Sequence, residues 1–218
     1  MGRKVGNPKR SAEFRDGAAA DTRERLLRVA KTVFSKKGFD GATVQDLSRA
    51  ARVNVSLVSY YFGGKEGLYR ACLEQFGTDK IQAAARVLTP AESPEDFRVK
   101  LRLWAQQFLD CLIEEEELTK ILHRELVSDM SLTKDIFQKT FVAAYESLVK
   151  FFQAAQSAKI LKPEIDTLIS AVLLYGGIMN RVAMDQLSRE VYKVGIKDPS
   201  WRQHFVDETL MIFLKGII

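Results

Sequence analysis

Apolar residues recur every three or four positions along most of this chain, which is the period of an amphipathic helix. The first such run begins at Asp21, which forms a possible capping box with Glu24, and it ends at Gly38. Its apolar positions are Leu26, Leu27, Ala30, Val33 and Phe34. The pattern predicts a first helix from Asp21, preceded by a flexible basic arm over residues 1–20, where apolar periodicity is lacking.

Two short helices are predicted next. Thr43 can cap the second helix, whose inward positions would be Val44, Leu47 and Ala51. Residues 52–54 form a turn, and Asn54 can cap a third helix that runs to about Phe62. The glycine pair at 63–64 then interrupts the helical pattern.

Six longer helical runs follow, separated mainly by proline-containing breaks. The predicted fourth to ninth helices cover about residues 65–87, 94–112, 118–127, 133–158, 164–190 and 201–216. No segment alternates as a strand would, and no repeat is evident. The sequence predicts an all-α fold of about nine helices.

Charge is distributed unevenly between the two ends of the chain. Residues 1–70 contain 15 Lys/Arg and 7 Asp/Glu, a balance of +8, whereas the remaining residues contain 18 and 21, a balance of −3. Clustered cations attract phosphate and displace its counterions, so the N-terminal part is a candidate for binding a polyanion. A solvated basic tail is the alternative explanation, and Arg3, Lys4, Lys9 and Arg10 could equally be an arm that enters a minor groove.

Residues that carry catalytic or metal chemistry are few. The only cysteines are Cys72 and Cys111, and the only histidines are His123 and His204, so neither a disulfide framework nor a metal site is predicted. The glycines before Lys65 lack the spacing and hydroxyl of a phosphate-binding loop. We therefore expect no enzyme activity and no cofactor.

The ends and the hydropathy of the chain bear on its location. Its first ten residues lack the apolar segment of a secretion signal, and no later run has the length needed to cross a bilayer. These features predict a cytoplasmic protein.

The second and third predicted helices, joined by a short turn and braced by the first, have the order of a helix-turn-helix. The third helix would expose hydroxyl, apolar and aromatic groups that can contact base edges, thymine methyl groups and phosphates. Tyr61 and Phe62 are better suited to bracing this helix than to contacting bases.

The segment KKGFDGATVQDLSRAARVNVSLVSYYFGGKEGLY resembles the TetR family of transcription regulators. The features that match are a Gly-Phe end to the first helix, a Thr-capped second helix and a tyrosine-rich end to the third. The Phe-Gly-Gly-Lys sequence that follows resembles one subgroup of that family. The resemblance covers residues 21–72, a helix-turn-helix DNA-binding domain, and leaves 73–218 as a helical effector-binding and dimerisation domain.

The resemblance implies nine DNA-contacting residues. Thr43 and Lys65 would contact phosphate, and Val55, Ser56 and Leu57 would face bases. Near the strand backbone we expect Ser59, Tyr60 and Tyr61, and Arg52 would add a phosphate contact. Two positions depart from the family pattern, because Arg52 stands where glycine is common and Ser59 where tyrosine is common.

For the second domain, the resemblance implies an effector pocket within helices 5 to 7 and a homodimer formed through helices 8 and 9. Gly176 and Gly177 would permit close helix approach, although an ordinary core explains the apolar residues of these helices equally well. The acidic run 114–117 is interpreted as a solvated helix end. The candidate pocket residues are Trp104, Phe108, His123, Phe137, Phe141, Tyr145 and Tyr175.

These expectations combine into one predicted mechanism. A homodimer would bind a palindromic operator in double-stranded DNA, repress transcription, and release the DNA when a small apolar or aromatic effector binds. Two alternatives remain open at the level of sequence: an activator, and an effector-independent structural or cell-division factor with the same fold. A fully packed interior in helices 5 to 7 would favour the second of these alternatives.

Overall fold

The computed structural model describes residues 8–218, and the described chain is helical without a strand. It divides into two compact units, Met1–Cys72 and Leu73–Ile218. The predicted all-α class is therefore confirmed.

The first unit contains α1 (Pro8–Gly41), α2 (Val44–Ala51), α3 (Ser56–Phe62) and most of α4 (Lys65–Phe76). Because α1 begins at Pro8, helix covers much of the segment that was expected to be a flexible arm, and the rest of that segment, residues 1–7, lies outside the described residues. The predicted stop at Gly38 is confirmed as a break, with φ of 73°.

Most apolar positions predicted to face inward on the first three helices are buried in the first unit, although Val33 and Val44 are only half-buried. The start of α4 adds core residues that the sequence analysis did not name. The rings of Phe34 on α1 and Tyr69 on α4 meet edge to face with centroids 4.9 Å apart. Other side chains in this core include Leu26, Leu27, Ala30, Leu47, Val58, Leu68 and Cys72. Burial raises the pKa of the Cys72 thiol to about 12, so this cysteine packs as an apolar group and is not a reactive thiolate.

The second unit is a longer set of helices. They are α5 (Gln82–Ala85), α6 (Pro94–Glu114), α7 (Glu116–Leu126), α8 (Lys134–Ile136), α9 (Ala143–Ser157), α10 (Thr167–Ala183), α11 (Asp185–Tyr192) and α12 (Pro199–Ile217). Ser93 caps α6 by accepting from the Asp96 backbone N–H at 3.1 Å, as its position before Pro94 suggests.

Two π-helical turns interrupt helices that the sequence predicted to be continuous. The turns at Gly77–Ile81 and Phe137–Val142 lie against each other, which divides the predicted helices over residues 65–87 and 133–158 into shorter pieces. A Cβ at Gly77 would lie 2.6 Å from Thr140 Oγ1, so only glycine allows this close approach. Helical periodicity does not predict this contact, because the two turns are distant in sequence.

The predicted eighth helix also breaks, between α10 and α11, where the axis bends by 64°. At this corner the buried Asp185 carboxylate lies 3.2 Å from both Arg181 and Arg189, and it accepts from the Ile196 backbone N–H at 2.7 Å. A buried carboxylate needs such partners to offset its lost hydration. The guanidinium of Arg181 also lies over the Trp201 ring of α12, 4.4 Å from its centroid.

The length and apolar character of the described helices bear on whether any of them could span a membrane. No single helix is long and apolar enough to cross a bilayer, although α10 and α11 taken together, as a bent pair, meet the criterion of length and composition.

Candidate functional site

The start of α2 is held by a reciprocal capping box. Thr43 Oγ1 accepts from the Asp46 N–H at 3.0 Å, and Asp46 Oδ2 accepts from the Thr43 N–H at 3.1 Å. The predicted cap is therefore confirmed, and Thr43 itself remains exposed. The pair satisfies two backbone donors of the kind that a helix start leaves unpaired.

A cation from α1 completes this cap. Lys37 Nζ lies 2.8 Å from Asp46 Oδ2. The hydrogen bonds from Lys37 and Thr43 lower the pKa of Asp46 from its ordinary value to about 2, so the carboxylate stays charged at neutral pH. The Lys37–Asp46 ion pair thus adds an electrostatic contact to the apolar packing between α1 and α2.

The turn between α2 and α3 depends on a left-handed residue. Arg52 has φ 53° and ψ 48°, and its N–H bonds to the Arg49 carbonyl at 3.1 Å. This is the conformation that glycine adopts without cost at helix ends, which explains why glycine is common at the corresponding family position. The arginine side chain is exposed beside the turn.

One side of α3 is buried and the other is open to solvent. Val58 is fully buried and fixes the helix against the unit core, whereas Val55 is 45% exposed and Tyr60 is 77% exposed. Ser56 and Ser59 are also exposed, and Leu57 and Tyr61 are half-buried. The structure therefore brings six of the nine predicted DNA-contacting residues together on α3 and the residue before it, whereas Thr43, Arg52 and Lys65 lie on the neighbouring elements.

A side-chain cap organises the first turn of α3. Asn54 Oδ1 accepts from the Ser56 backbone N–H at 3.0 Å and from the Ser56 hydroxyl at 2.9 Å. The cap predicted at Asn54 is confirmed, although its contact with the Ser56 hydroxyl was not foreseen. A hydrogen bond between side chains two residues apart has no signature in hydrophobic periodicity.

The end of α3 is joined closely to the start of α4. Gly63 ends α3 with φ 72°, and a Cβ at Gly67 would lie 1.8 Å from the Phe62 carbonyl oxygen. A side chain at position 67 is therefore excluded unless the helices separate. This packing sets the position of Lys65.

Lys65 is engaged within the protein. Its Nζ donates to the carbonyls of Phe39 at 2.9 Å and Ala42 at 3.1 Å, and it lies 4.2 Å from the centroid of the Phe39 ring. Both carbonyls belong to the segment where α1 ends. Lys65 thus has a structural role that the sequence did not indicate, beside the phosphate contact predicted for it.

Arg23 is a further cation near α3, and it is not among the residues that the sequence analysis predicted to contact DNA. The Arg23 guanidinium lies 5.1 Å from the centroid of the Phe62 ring, which places a positive charge from α1 beside the end of α3. The high proportion of arginine early in α1 was a signal, but it did not single out this residue.

In the second unit, four of the seven candidate pocket residues form one aromatic cluster. Tyr175 of α10 lies at its centre, with ring centroids 4.5 Å from Phe108, 6.3 Å from Trp104 and 5.7 Å from Tyr145. Burial raises the pKa of the Tyr175 phenol well above its ordinary value, although part of its ring reaches the surface. Phenol and indole groups in an apolar surrounding are typical of sites for small molecules.

The other candidates lie elsewhere. The rings of Phe137 and Phe141 are 4.7 Å apart in the second π-helical turn, and Phe141 also contacts Phe76 at 6.3 Å. His123 is exposed in the last turn of α7 and belongs to neither group. Its placement gives no support to a role as the wall of an interior pocket.

Helices α10 and α12 carry a set of exposed apolar side chains. We call it the α10–α12 face, and its members are Leu168, Ile169, Val172, Leu173, Met211 and Ile212. Gly176 and Gly177 lie exposed on α10, and a Cβ at either position would meet nothing within 4 Å among the residues that the structure describes. By contrast, Tyr175 packs into the aromatic cluster and Met179 is buried, so these two residues do not belong to the exposed face.

Comparison with known proteins agrees with this geometry. Residues 26–72 match the family described as bacterial regulatory proteins, tetR family. The domain over residues 26–72 is therefore of the tetR-family type. The match covers the described part of α1 from Leu26 onward, α2, α3 and the start of α4, so the family expected from the sequence motif is confirmed.

Two similar proteins are named as transcription regulators. The transcriptional repressor NicS of Pseudomonas putida is 33% identical over 116 residues, which is 53% of this chain and 53% of NicS. The regulator UidR of Escherichia coli K12 is 25% identical over 179 residues, 79% of this chain and 87% of UidR. The chain thus spans about half the length of NicS.

The fold has close counterparts among solved structures. The fatty acid degradation regulator FadR of Bacillus halodurans superposes with a TM-score of 0.71 and 16% identity, covering 89% of this chain and 95% of FadR. Identity at this level shows the fold alone. It confirms an N-terminal helix-turn-helix followed by a helical C-terminal region, and the Phe-Gly-Gly-Lys subgroup stays a prediction.

Proposed function

We propose that this TetR-family chain is a sequence-specific DNA-binding regulator of transcription that acts as a repressor and is released by a small-molecule effector. The observation that carries the proposal is the exposed face of α3, where Ser56, Ser59 and Tyr60 project from a helix anchored by the buried Val58. A short helix of this kind can enter the major groove while its partner helices brace it.

The charge of the N-terminal region supports the DNA partner. Residues 1–70 carry a balance of +8. Arg52 and Arg23 place cations beside the two ends of α3, where the strands of a bound duplex would pass. In this proposal Thr43, Tyr61 and Lys65 contribute to the phosphate contacts, and Val55 and Leu57 contribute to base contacts.

The α10–α12 face supports a homodimer. Soluble monomers rarely group large exposed apolar side chains, and on α10 Leu168, Ile169, Val172 and Leu173 lie at helical spacing from one another. The same spacing continues to Gly176 and Gly177, where an added Cβ would meet nothing within 4 Å among the described residues. Exposed glycines within a helix cost about 1 kcal/mol each relative to alanine, a cost that close approach of a second helix can offset. A twofold dimer matches a palindromic operator.

The aromatic cluster around Tyr175 supports an effector that is apolar or aromatic. Trp104 and Phe108 stack with centroids 5.4 Å apart, and Tyr145 adds a phenol that donates to the Leu168 carbonyl at 3.1 Å. A ligand that inserts here would displace these rings. If the ligand weakens DNA binding by some factor, thermodynamic linkage requires operator DNA to weaken ligand binding by the same factor.

The decisive experiment selects binding sites from a randomised DNA library with the purified full-length chain and then measures affinity for the selected site. We expect a palindromic sequence to be enriched, and Tyr60→Ala to weaken binding to it. Val127→Ala is a matched control, because Val127 is equally exposed but lies at the end of α7. Failure to enrich any sequence would contradict the proposal, as would equal affinity of the two variants.

The direction of regulation is tested in a cell. A reporter gene placed behind the selected operator should be less active when the chain is expressed, and the protein should be found in the cytoplasm. Activation of the reporter would contradict repression while leaving DNA recognition intact. Candidate apolar compounds that restore reporter activity should also lower operator affinity in vitro.

A further inference from the structure

The orientation of the Asn54 carboxamide is fixed by the backbone of α3. Its Oδ1 atom receives the Ser56 backbone N–H at 3.0 Å. A backbone N–H can only donate, so the atom that faces it must be the carboxamide oxygen and not the nitrogen. This contact removes the usual ambiguity between the two ends of an asparagine side chain.

The same oxygen determines the state of the Ser56 hydroxyl. Ser56 Oγ lies 2.9 Å from Asn54 Oδ1, and a carboxamide oxygen carries no hydrogen. The hydroxyl proton must therefore lie between the two oxygens, with Ser56 as the donor. What Ser56 presents to the outside of the exposed first turn of α3 is only the lone pairs of its oxygen.

We infer that Asn54 is a specificity-determining residue that converts Ser56 into a hydrogen-bond acceptor, so that Ser56 recognises an exocyclic amino group in the major groove. This inference rests on the proposed DNA-binding function. The groups that fit are the N4 amino group of cytosine and the N6 amino group of adenine. The N7 and O6 atoms of guanine and the O4 atom of thymine are acceptors and do not fit.

Asn54 acts here as a positioning residue, since its effect on the base passes through Ser56. The Nδ2 amino group of Asn54 carries two donor hydrogens and is bonded to the same carbon as Oδ1. Because Asn54 is exposed, this group can donate to a DNA phosphate while Oδ1 holds Ser56. Base choice and backbone affinity are therefore carried by different atoms of one side chain. Substitutions can separate the two.

The first step of the test locates the base pair. Binding-site selection with wild type and with Ser56→Ala should give the same operator except at one base pair in each half-site, where the variant loses its preference. That base pair is the one read by Ser56. If the wild type enriches no sequence, the proposed function and this inference both fail, whereas enrichment with no change in Ser56→Ala overturns this inference alone.

The second step removes single atoms from that base pair and uses the unmodified protein, so it does not depend on the folding of a variant. Replacing adenine by purine, or cytosine by pyrimidin-2-one, deletes the exocyclic amino group, and we expect affinity to fall by roughly two- to tenfold, the effect of one neutral hydrogen bond. A 7-deazapurine at the same pair deletes the N7 acceptor and should leave affinity unchanged. The opposite pattern would overturn the inference.

The third step assigns the effect to Asn54. Asn54→Ala frees the hydroxyl proton, so Ser56 can donate as well as accept, and the sensitivity to loss of the amino group should decrease. Asn54→Asp is the matched control, because it keeps an acceptor oxygen at the cap and should retain that sensitivity while binding all sequences more weakly through its negative charge. An Asn54→Ala variant that folds and shows the wild-type pattern would overturn the role of Asn54.

Discussion

Arg52 adopts a backbone conformation that suits glycine better than arginine. An L-residue in the left-handed region is disfavoured by about 1–2 kcal/mol, and the Arg52 side chain is exposed. A contact between its charge and a DNA phosphate therefore explains the presence of arginine at this position better than the stability of the turn does.

We predict that Arg52→Gly raises the stability of the chain but lowers its affinity for the operator. We expect the free energy of unfolding to rise by about 1 kcal/mol, because glycine adopts this φ without strain. Operator affinity should fall, and the slope of log affinity against log salt should decrease by roughly one unit per DNA site, about two for a dimer.

The matched control for Arg52→Gly is Lys193→Gly. Lys193 also ends a helix with positive φ, 58°, but it lies at the end of α11 in the second unit. The control should be similarly stabilised without any change in the salt slope. If Arg52→Gly keeps the wild-type slope, Arg52 does not contact phosphate.

Lys65 gives a second prediction at this scale. Lys65→Met preserves most of the hydrocarbon chain but removes the charged donor from the carbonyls of Phe39 and Ala42. We expect the free energy of unfolding, measured by denaturant titration, to fall by about 1.5–3 kcal/mol, the range for hydrogen bonds to charged groups. Lys36→Met, at an exposed position of α1, should leave stability unchanged.

Salt titration of the same variants separates the two roles of Lys65. A phosphate contact predicts a smaller salt slope for Lys65→Met in addition to the loss of stability. A variant that is as stable as wild type would contradict the structural role, whatever its affinity for DNA.

At the scale of the element, α2 is held in place by a cap that depends on pH. The pKa of Asp46 is lowered to about 2 in the folded chain, below its ordinary value near 3.8. A carboxyl group with a lowered pKa stabilises the folded state above its unfolded pKa, and this contribution disappears as the pH falls towards the folded pKa.

We therefore expect Asp46→Asn to be less stable than wild type at pH 6, with the difference decreasing between about pH 4 and pH 2. Asparagine can still accept the Thr43 N–H, so the variant tests the charge and not the hydrogen bond. Denaturant midpoints at several pH values measure the effect. Thr43→Ala is the comparison for loss of the cap itself, with an expected loss of about 1 kcal/mol at pH 6. A difference independent of pH would contradict the assignment.

At the scale of the whole molecule, dimerisation gives the sharpest prediction. Leu173 belongs to the α10–α12 face and is 64% exposed. A carboxylate buried there without a partner would destabilise an interface. Leu173→Glu should sediment as a folded monomer and bind the palindromic operator far more weakly. Val127→Glu, with the side chain 75% exposed in the native chain, should remain a dimer. Dimers formed equally by both variants would show that this face is not the interface.

The sequence by itself determined the helix-turn-helix, because its signals are local. Thr43, Asn54 and Gly63 are caps and stops that act within a few residues, and the inward positions Leu47 and Val58 follow the helical period. The same local logic identified Ser93 as a cap. The family motif is made of these residues, so recognising it required no knowledge of tertiary contacts.

In the second unit, only the tertiary structure decided which apolar side chains are core. The helix α10 is apolar on most of its faces, so periodicity could not show that Tyr175 turns inward to Phe108 while Leu173 faces solvent. Nor could it place Lys65 on carbonyls more than twenty residues earlier, or set Gly77 against Thr140 and so replace a continuous helix by a π-helical turn. Each of these features depends on residues that are distant in sequence, and their contacts exist only once the helices have packed.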